Sequence, residues 1–455
     1  MANSNLTHTG SAGNQKTWTY SCWFKLSAND GIEYLFSQGS AGNNFVAIYL
    51  GNEGSPTGGG TLRFYNENSG SQSLYFQTTR LLRDVHAWYH VVVQCDTTQG
   101  TQSDRVKIWI NGVQETVFSS SSYPAQDSNT NMNLNSAVQR IGVYNASGSS
   151  PNHYFDGYMS HVALVDGTVV APTSFGQTDS TSGIWKFKSP SGLSWGTNGF
   201  HLKFENSGAL GTDSSGQSNT FAVNGDLKQS LSTPSNVYAT LNSLHTGNEL
   251  SNVTFSNGNL KHQGTASGAS YPYTFSTLAA SQGKWYAEFK AVVADTTMIG
   301  IASGVSDGFL GNTASAKGYA LYGNNGNLFT SGSGSSYGSG LSNNDILGVA
   351  MDLDNNKLYF SKNGVWENSG VPTSGSTGTG AVSITAPADN DRGVYHFACG
   401  KAGSATTNIE VNFGDGFFGT TAIASAGSNG NGSLFEYDVP SGYYALNTKN
   451  LNTYG

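Results

Sequence analysis

Acidic residues offer the first chemistry to consider, because two opposed carboxylates can hydrolyse a glycosidic bond. A Glu-x-Asp-x-x-Glu strand is a typical source of such a pair, and no such string occurs in the chain. Glu288 is alone on its predicted strand, whereas Asp352 and Asp354 are interpreted as an outward residue and a turn residue of one hairpin. The sequence therefore predicts a protein without this catalytic activity.

Three further sequence patterns match known site motifs but lack the structural context that those sites require. His86 and His90 share a face if residues 87–95 form a strand, but about 13 Å of extended chain separates them, too far for one zinc ion. Gly334 to Gly338 (GSSYG) matches a serine-hydrolase elbow without a strand-to-helix turn. Gly414 to Gly419 (GDGFFG) matches a dinucleotide-binding pattern, yet no helix follows. We predict no catalytic residue from them.

Composition limits the partners. Only 11% of the 455 residues are charged, 59 are glycine, and 12% are aromatic, which is too aromatic for a disordered chain. The formal charge of −8 and the absence of a Lys/Arg cluster argue against nucleic-acid binding. No 18-residue apolar run and no secretory leader occur, so membrane insertion is not expected. Cys22, Cys95 and Cys399 are predicted to be free core thiols, and the first two could lie on neighbouring strands.

The stretch from Leu347 to Trp366, LGVAMDLDNNKLYFSKNGVW, positions several of these residues. A two-residue turn at Asn355-Asn356 would place Leu353 opposite Leu358 and Met351 opposite Phe360, giving one apolar face. A hairpin with one apolar face needs a second sheet to cover it, which predicts a β-sandwich. On this register Met351→Asp should unfold the domain, and Asp352→Asn should be nearly neutral.

Strand-like alternation continues along both halves, whereas no segment sustains a helical apolar repeat. The hairpin order of Asp104 to Phe118, with its turn at Asn111-Gly112, repeats that of the C-terminal hairpin. We therefore predict an all-β chain of two antiparallel sandwich, or jelly-roll, domains with minimal helix. The segments Gly323–Ser342 and Glu367–Thr379 are interpreted as exposed connectors.

The string DILGVAMDLDNNKLYFSKNGVW, preceded by GKWYAEFKAVV and MIGIASG, resembles the central motif of SPRY domains. That resemblance implies a bent antiparallel sandwich that binds proteins or glycans through loops and is not an enzyme. In the first half WTYSCWFKL, WYHVVVQCDTT, VKIWINGV and YFDGYMSHVALVDG resemble, in this order, concanavalin A-like (laminin G-like) lectin domains. Runs such as SAGNQKTWTYSCWFK and PTSFGQTDSTSGIW also resemble structural proteins of tailed bacteriophages.

These resemblances imply two domains: residues 1–228, concanavalin A-like, and residues 229–455, SPRY-like, separated near a turn-rich segment. Residues 200–227 have two interpretations. They are either the closing strands of a cyclically reordered first domain, which we slightly favour, or a small bridging element.

Candidate ligand contacts follow from the same reasoning. A lectin-like domain often holds calcium through loop oxygens, and Asp213, Gln217 and Asn219 could supply some of them. The alternative, which we favour, is an Asx-turn in which Asp213 caps its own loop. In the second half Tyr322, Tyr337 and Trp366 stand at the edges of the loops, where they could contact a ligand.

Taken together, the sequence predicts a phage structural protein made in the host cytoplasm and displayed on the virion surface. It would be a head decoration or fibre protein, or a tail-fibre component, that binds a host glycan, a neighbouring virion protein, or both, with a homotrimer as its expected assembly. The alternatives are a glycan depolymerase and a purely structural capsid or tail cement protein without ligand binding.

Overall fold

The computed structural model describes residues 4–29, 31–40, 43–51, 60–145, 151–244, 252–265, 271–304, 308–312 and 318–455. The chain divides into two compact units, Met1–Gln229 and Ser230–Gly455. Both are built almost entirely from antiparallel strands. The all-β prediction is therefore confirmed.

Strands of the first unit form two large sheets, ordered β10-β6-β5-β4-β3-β11-β1-β16 and β15-β12-β2-β7-β8-β9, and one small β13-β14 hairpin. Their bounds are β1 Asn5–Thr9, β2 Thr17–Leu26, β3 Glu33–Ser40, β4 Asn44–Leu50, β5 Thr61–Asn68, β6 Ser71–Leu81, β7 Tyr89–Asp96, β8 Val106–Ile110, β9 Val113–Gln114, β10 Phe118–Ser122, β11 Val138–Ile141, β12 Gly157–Asp166, β13 Gly176–Thr178, β14 Trp185–Phe187, β15 Phe200–Leu202 and β16 Ala222–Asn224.

The core of the first unit lies between the two large sheets, where alternate residues of each strand meet. Trp18, Tyr20 and Phe24 of β2 face Phe64 and other apolar residues of the opposite sheet. Within residues 200–227, β15 pairs with β12 and β16 pairs with β1, so each large sheet gains one edge strand from this segment.

Strands of the second unit form a nine-stranded sheet, β17-β18-β30-β20-β25-β26-β27 with β28 on β26 and β33 on β20, and a six-stranded sheet, β19-β29-β21-β22-β23-β24. Their bounds are β17 Val253–Ser256, β18 Lys261–Gly264, β19 Tyr273–Phe275, β20 Lys284–Val293, β21 Thr297–Ala302, β22 Tyr319–Tyr322, β23 Asn327–Thr330, β24 Ser333–Ser336, β25 Asp345–Asp352, β26 Lys357–Lys362, β27 Val365–Trp366, β28 Val382–Ser383, β29 His396–Lys401, β30 Thr407–Asn412, β31 Phe417–Phe418, β32 Thr421–Ala422 and β33 Tyr444–Ala445.

Helix is confined to short segments in the described part of the chain. One α-helix, α1, spans Thr448–Tyr454, and the side chain of Asn447 caps it by accepting from the backbone N–H of Asn450. The remaining helical turns are 3-10 segments of three to six residues: Gln102–Asp104, Pro172–Ser174, Glu367–Ser369, Pro372–Thr377 and Pro387–Asp389. No helix among these is long and apolar enough to cross a membrane.

The central hairpin of the second unit corrects the expected register. Met351 pairs with Leu358 and Val349 with Phe360, and residues 353–356 connect the strands in place of a two-residue turn. The carboxylate of Asp352 accepts from the backbone and side-chain N–H groups of Asn355, which holds the longer turn. Because the register moves by two residues, the apolar side chains stay on the predicted face.

Asp352 is not the outward, solvated residue that the alternation predicted. It is 0% exposed and forms an ion pair with Lys284 of the neighbouring strand at 3.0 Å. The reason is that the outer face of this sheet is covered by the C-terminal segment, which packs Phe435 and Tyr443 against Tyr286 and Tyr359. The central strands β20, β25 and β26 of the nine-stranded sheet are therefore buried on both faces.

Three other expectations can be compared with the structure: one is wrong and two are confirmed. The segment Gly323–Ser342 is not a plain connector, because Asn327–Thr330 and Ser333–Ser336 form an edge hairpin within it. The turn at Asn111-Gly112 is confirmed: both residues have positive φ, and Ile110 pairs with Val113 across it. The three cysteines are free and buried, also as predicted.

Candidate functional site

The three aromatic residues predicted to contact a ligand lie in three different clusters. Tyr322 packs with Phe329 on the outer side of the six-stranded sheet. Tyr337 packs into the main core beside Phe360, and its hydroxyl donates to the carbonyl of Gly380. Trp366 packs edge-on against Tyr286 and Tyr359 on the outer face of the nine-stranded sheet. All three are half-buried, and the structure does not assemble them into one site.

The loop considered for calcium is organised around Asp213. Its Oδ1 accepts from the backbone N–H groups of His201 and Ser215, and its Oδ2 accepts from the Ser215 hydroxyl and the backbone N–H of Asn219. The side chain of Asn219 donates to the carbonyls of Thr197 and Gly199, whereas Gln217 is exposed. Both carboxylate oxygens are thus engaged by donors of their own loop, which is the Asx-turn alternative.

The described residues contain no better candidate for a metal site than this loop. Within the ranges that the structure describes, no group of three His, Cys, Asp or Glu side chains could hold a metal ion. His161 and His201 are two possible metal ligands that lie side by side, with Nδ1 of His161 3.1 Å from Nε2 of His201. Burial lowers the pKa of both imidazoles, to about 3 for His161 and about 4 for His201. This pair is a hydrogen bond between neutral rings.

His90 forms a pair with Ser21 that resembles half of a nucleophilic site. Its Nε2 lies 2.8 Å from the Ser21 hydroxyl, and its Nδ1 lies 3.0 Å from Nε1 of Trp185. An indole N–H can only donate, so Nδ1 of His90 is the acceptor and the proton resides on Nε2. The ring therefore donates to Ser21 and cannot take its proton.

The surroundings of His90 agree with a structural role. The ring stacks on Trp23 with centroids 4.5 Å apart, is fully buried, and has its pKa lowered by burial to about 3. His86 precedes the strand that carries His90, so the two histidines do not share a strand face.

A patch suited to ligand binding lies elsewhere, on the outer face of the eight-stranded sheet. The inward residues of β5 and β6, such as Phe64 and Phe76, fill the core, so their neighbours Tyr65 and Tyr75 point outward. These two tyrosines are paired across the strands with ring centroids 6.4 Å apart, edge to face, and both are half-exposed.

Polar groups surround this tyrosine pair. The Tyr65 hydroxyl donates to Glu67 at 2.6 Å and the Tyr75 hydroxyl donates to Gln77 at 3.0 Å. On the edge strand, Ser120 is paired with Gln77 and Ser122 with Tyr75, and both serines are exposed. We call the six residues the tyrosine patch: Tyr65, Glu67, Tyr75, Gln77, Ser120 and Ser122.

A buried aromatic layer supports the patch from the middle of the same face. Tyr34 stacks on Tyr49 with centroids 4.8 Å apart, and the Arg63 guanidinium lies 5.8 Å from the ring centroid of Tyr49. Arg63 is in turn paired with Gln77 of the patch. Since Tyr34, Tyr49 and Arg63 are at most 6% exposed, they hold the patch in place and leave its outer edge to meet a ligand.

The chemistry of the tyrosine patch suits a neutral polyhydroxylated molecule. Aromatic rings stack on the apolar faces of such molecules, while carboxylate, amide and hydroxyl groups exchange hydrogen bonds with their hydroxyls. Sequence reasoning identified these strands but missed the patch. The signal was the alternation in TLRFYNEN and SLYFQT, where the outward positions include Arg63, Tyr65, Glu67, Tyr75 and Gln77.

In the second unit the most unusual polar group is a buried carboxylate. Glu288, in the middle of β20, accepts from the Tyr286 hydroxyl, the Asn412 amide and the backbone N–H groups of Glu436 and Tyr437. Burial raises its pKa to about 7, an effect that the hydrogen bonds from Tyr437 and Glu436 oppose. Glu288 thus fastens the C-terminal segment onto the sheet, a structural task for the carboxylate that stands alone on its strand.

Comparison with known proteins separates the two units. Residues 2–173 match the family described as "Concanavalin A-like lectin/glucanases superfamily", and residues 284–394 match the family described as "SPRY domain". No curated protein matches the sequence. The first description covers lectins and glucanases alike, so the fold does not by itself decide between binding and hydrolysis.

Several solved structures are similar to parts of the chain. The SPRY domain of human HERC1 is 16% identical and covers 35% of this chain and 91% of its own, with a TM-score of 0.28. A heptameric SAP-like pentraxin from Limulus polyphemus is 13% identical over 49% of this chain and 85% of its own, with a TM-score of 0.32. A putative carbohydrate binding protein from Bacteroides ovatus is 16% identical over 49% of this chain and 56% of its own, with a TM-score of 0.30.

The sheet topology and the two family matches agree on the order of the domains along the chain. The protein consists of a concanavalin A-like, laminin G-like domain followed by a SPRY domain.

Proposed function

We propose that the first domain binds a glycan through the tyrosine patch. The observation that carries this proposal is the half-exposed Tyr65–Tyr75 pair, flanked on both strands by hydrogen-bonding side chains. The lectin-like fold makes carbohydrate the ligand class to test first. The Glu67 carboxylate in the patch favours a neutral glycan over an acidic one.

Binding fits the patch better than hydrolysis does. Glycoside hydrolysis needs two carboxylates on either side of the scissile bond. Glu67 is the single carboxylate on β5 and β6, and the hydroxyl of Tyr65 already occupies one of its oxygens. A glycan depolymerase remains the alternative that a reducing-end assay on bound polysaccharide would detect.

We further propose that the protein is a structural component of a tailed-phage virion, displayed on the particle surface as a head decoration or fibre protein or as part of a tail fibre. The support is the resemblance of the first 226 residues to such proteins. In this setting the SPRY domain contacts neighbouring virion proteins, and a homotrimer is the expected assembly. A cement protein without ligand binding is the competing proposal.

Two experiments test these proposals separately. A glycan array probed with the full chain and with Tyr75→Ala tests binding: signals that the substitution abolishes support the tyrosine patch, and signals that it leaves unchanged contradict it. Tyr444→Ala, which removes a half-buried tyrosine from the second unit, is the matched control. A particle reconstruction tests the virion proposal, because density for both sandwiches on the particle surface is required.

A further inference from the structure

An open cavity of about 410 Å³ lies in the second unit, between the Asn363-Gly364 turn and the C-terminal segment. Its walls are residues 363–365, 425–427 and 436–438. The residues after 394 lie outside the matched SPRY region, so six of the nine residues that line this cavity belong to the segment that follows it.

The apolar side of the cavity is a tyrosine ring on a glycine turn. Gly364 has φ of +80°, and a Cβ on it would come within 2.6 Å of the Tyr437 ring, so only glycine lets the ring lie this close. Beside the ring, Val365 is 73% exposed. An exposed valine next to an aromatic ring offers a surface for an aliphatic chain.

The polar side is acidic. Glu436 uses Oε2 to accept from the backbone N–H of Ala424, and Asp438 uses Oδ1 to accept from that of Ser428. Asp438 also receives a side-chain hydrogen bond from Ser428, whereas Oε1 of Glu436 has no hydrogen-bond donor among the described contacts. Asn363 offers nothing further, because its amide is engaged by Asp345 and Ile346.

No positive charge lines the cavity to balance these carboxylates. The adjacent Lys362 is turned away, with its ammonium 3.1 Å from Asp345 and 2.7 Å from the carbonyl of Gly340. The negative charge affects Tyr437: burial raises the pKa of its hydroxyl, and the carboxylates of Glu436, Glu288 and Asp345 raise it further. The hydrogen bonds from Ser428 lower the pKa of Asp438, so the Asp438 carboxylate stays ionised at neutral pH.

We propose that this cavity receives a lysine or arginine side chain of a partner protein. The methylene stem lies along Val365 and Tyr437, and the cationic head lies between Glu436 and Asp438. A wide, shallow cavity cannot enclose a small free cation, whereas a side chain anchored on a larger surface needs only one such contact. The site is independent of the tyrosine patch and of glycan binding.

The test uses the full chain and capped Gly-Gly-Arg-Gly-Gly, with lysine and citrulline analogues and methyl N-acetylglucosaminide as comparison ligands. Backbone amide NMR shifts of Gly364, Val365 and Tyr437 report on occupancy. We expect saturable shifts with the arginine and lysine peptides that weaken several-fold between low and physiological salt. Citrulline, which is nearly isosteric but uncharged, should bind at least tenfold more weakly.

Matched variants separate charge from shape. Glu436→Gln with Asp438→Asn keeps both backbone hydrogen bonds and removes both charges, so we expect affinity for the arginine peptide to fall at least tenfold while the melting temperature holds. Asp391→Asn removes one exposed charge elsewhere in the unit and should change nothing. Equal binding of citrulline, binding of the sugar alone, or cationic binding that survives the double variant would each overturn the proposal.

Discussion

Tyr437 and Glu288 meet on the outer face of the nine-stranded sheet, where the backbone N–H of Tyr437 donates to Oε1 of Glu288 at 2.9 Å. The same carboxylate accepts from the N–H of Glu436 at 2.8 Å. One side chain in the middle of β20 therefore holds a segment almost 150 residues further along the chain. It is a buried carboxylate without a cationic partner among the contacts described.

Glu288 should make the stability of the second unit depend on pH. Burial raises its pKa from 4.5 to about 7, so the folded state holds the proton more tightly than the unfolded chain. The resulting stabilisation is complete below about pH 4.5 and is lost as the pH rises through 7, a difference of about 3 kcal/mol. Hydrogen exchange of the Tyr437 amide between pH 5 and 8, corrected for intrinsic exchange, measures it.

Glu288→Gln is the control, because it removes the titrating group. His262 and His396 have lowered pKa values and shift stability in the opposite direction at acid pH, so the quantity to compare is the difference between variant and wild type. That difference should change by about 3 kcal/mol across this range. Parallel pH profiles would show that Glu288 does not titrate there.

The first unit should lose stability on acidification because of His90. Burial lowers its folded pKa to about 3 from 6.5, so its contribution is present above pH 6.5 and is lost as the pH falls toward 3. Between pH 7 and 5 the contribution of His90 is about 2 kcal/mol, and His161 and His201, whose pKa values burial also lowers, add to the loss in the same direction. Urea unfolding of the first unit at each pH, monitored at β7, measures this loss of stability. His153→Gln, at an exposed position, should leave the profile unchanged, whereas a profile of the wild type flat from pH 7 to 5 would exclude a neutral buried His90.

Met351→Asp should unfold the second unit, since Met351 is 0% exposed in the main core and an unpaired charge there costs at least about 3 kcal/mol. Asp352→Asn was expected from the sequence to be nearly neutral. Its burial and its ion pair with Lys284 now predict a loss of about 1–3 kcal/mol. Circular dichroism melts of both variants decide the matter, and a cooperatively folded Met351→Asp protein would contradict the observed register.

Calcium should not stabilise the first unit through Asp213, because loop donors occupy both of its oxygens. Asp213→Ala should cost about 1–3 kcal/mol through the lost loop hydrogen bonds, with or without the ion. Differential scanning fluorimetry in excess calcium and in chelator tests this. A rise in melting temperature with calcium that Asp213→Ala removes would restore the calcium prediction for Asp213, Gln217 and Asn219.

Local patterns predicted the fold well where one face of a strand is apolar. The alternation around Met351 and the Asn-Gly turns identified hairpins that the structure contains. The register of the Met351 hairpin was wrong by two residues, because Asp352 stabilises a longer turn through Asn355, a contact that alternation does not encode. Period-2 patterns fix the face of a strand, and turn chemistry fixes the register.

Sites were harder to predict because they depend on what covers each face. Asp352 resembles a solvated residue until Tyr443 and Phe435 close over its sheet. The position of three aromatic residues at loop edges suggested ligand contacts: Tyr322, Tyr337 and Trp366. Strand pairing places each of them in a different cluster. Their role in ligand binding stays a prediction. The tyrosine patch exists only once β5, β6 and β10 are side by side.

The most direct test of the account is calorimetric titration of the full chain with the strongest glycan from the array. Tyr65→Ala and Tyr75→Ala should each weaken binding at least tenfold, since each removes a stacking surface, and Tyr444→Ala should bind like the wild type. If all three variants, correctly folded, bind with wild-type affinity, the outer face of the eight-stranded sheet is not the glycan site.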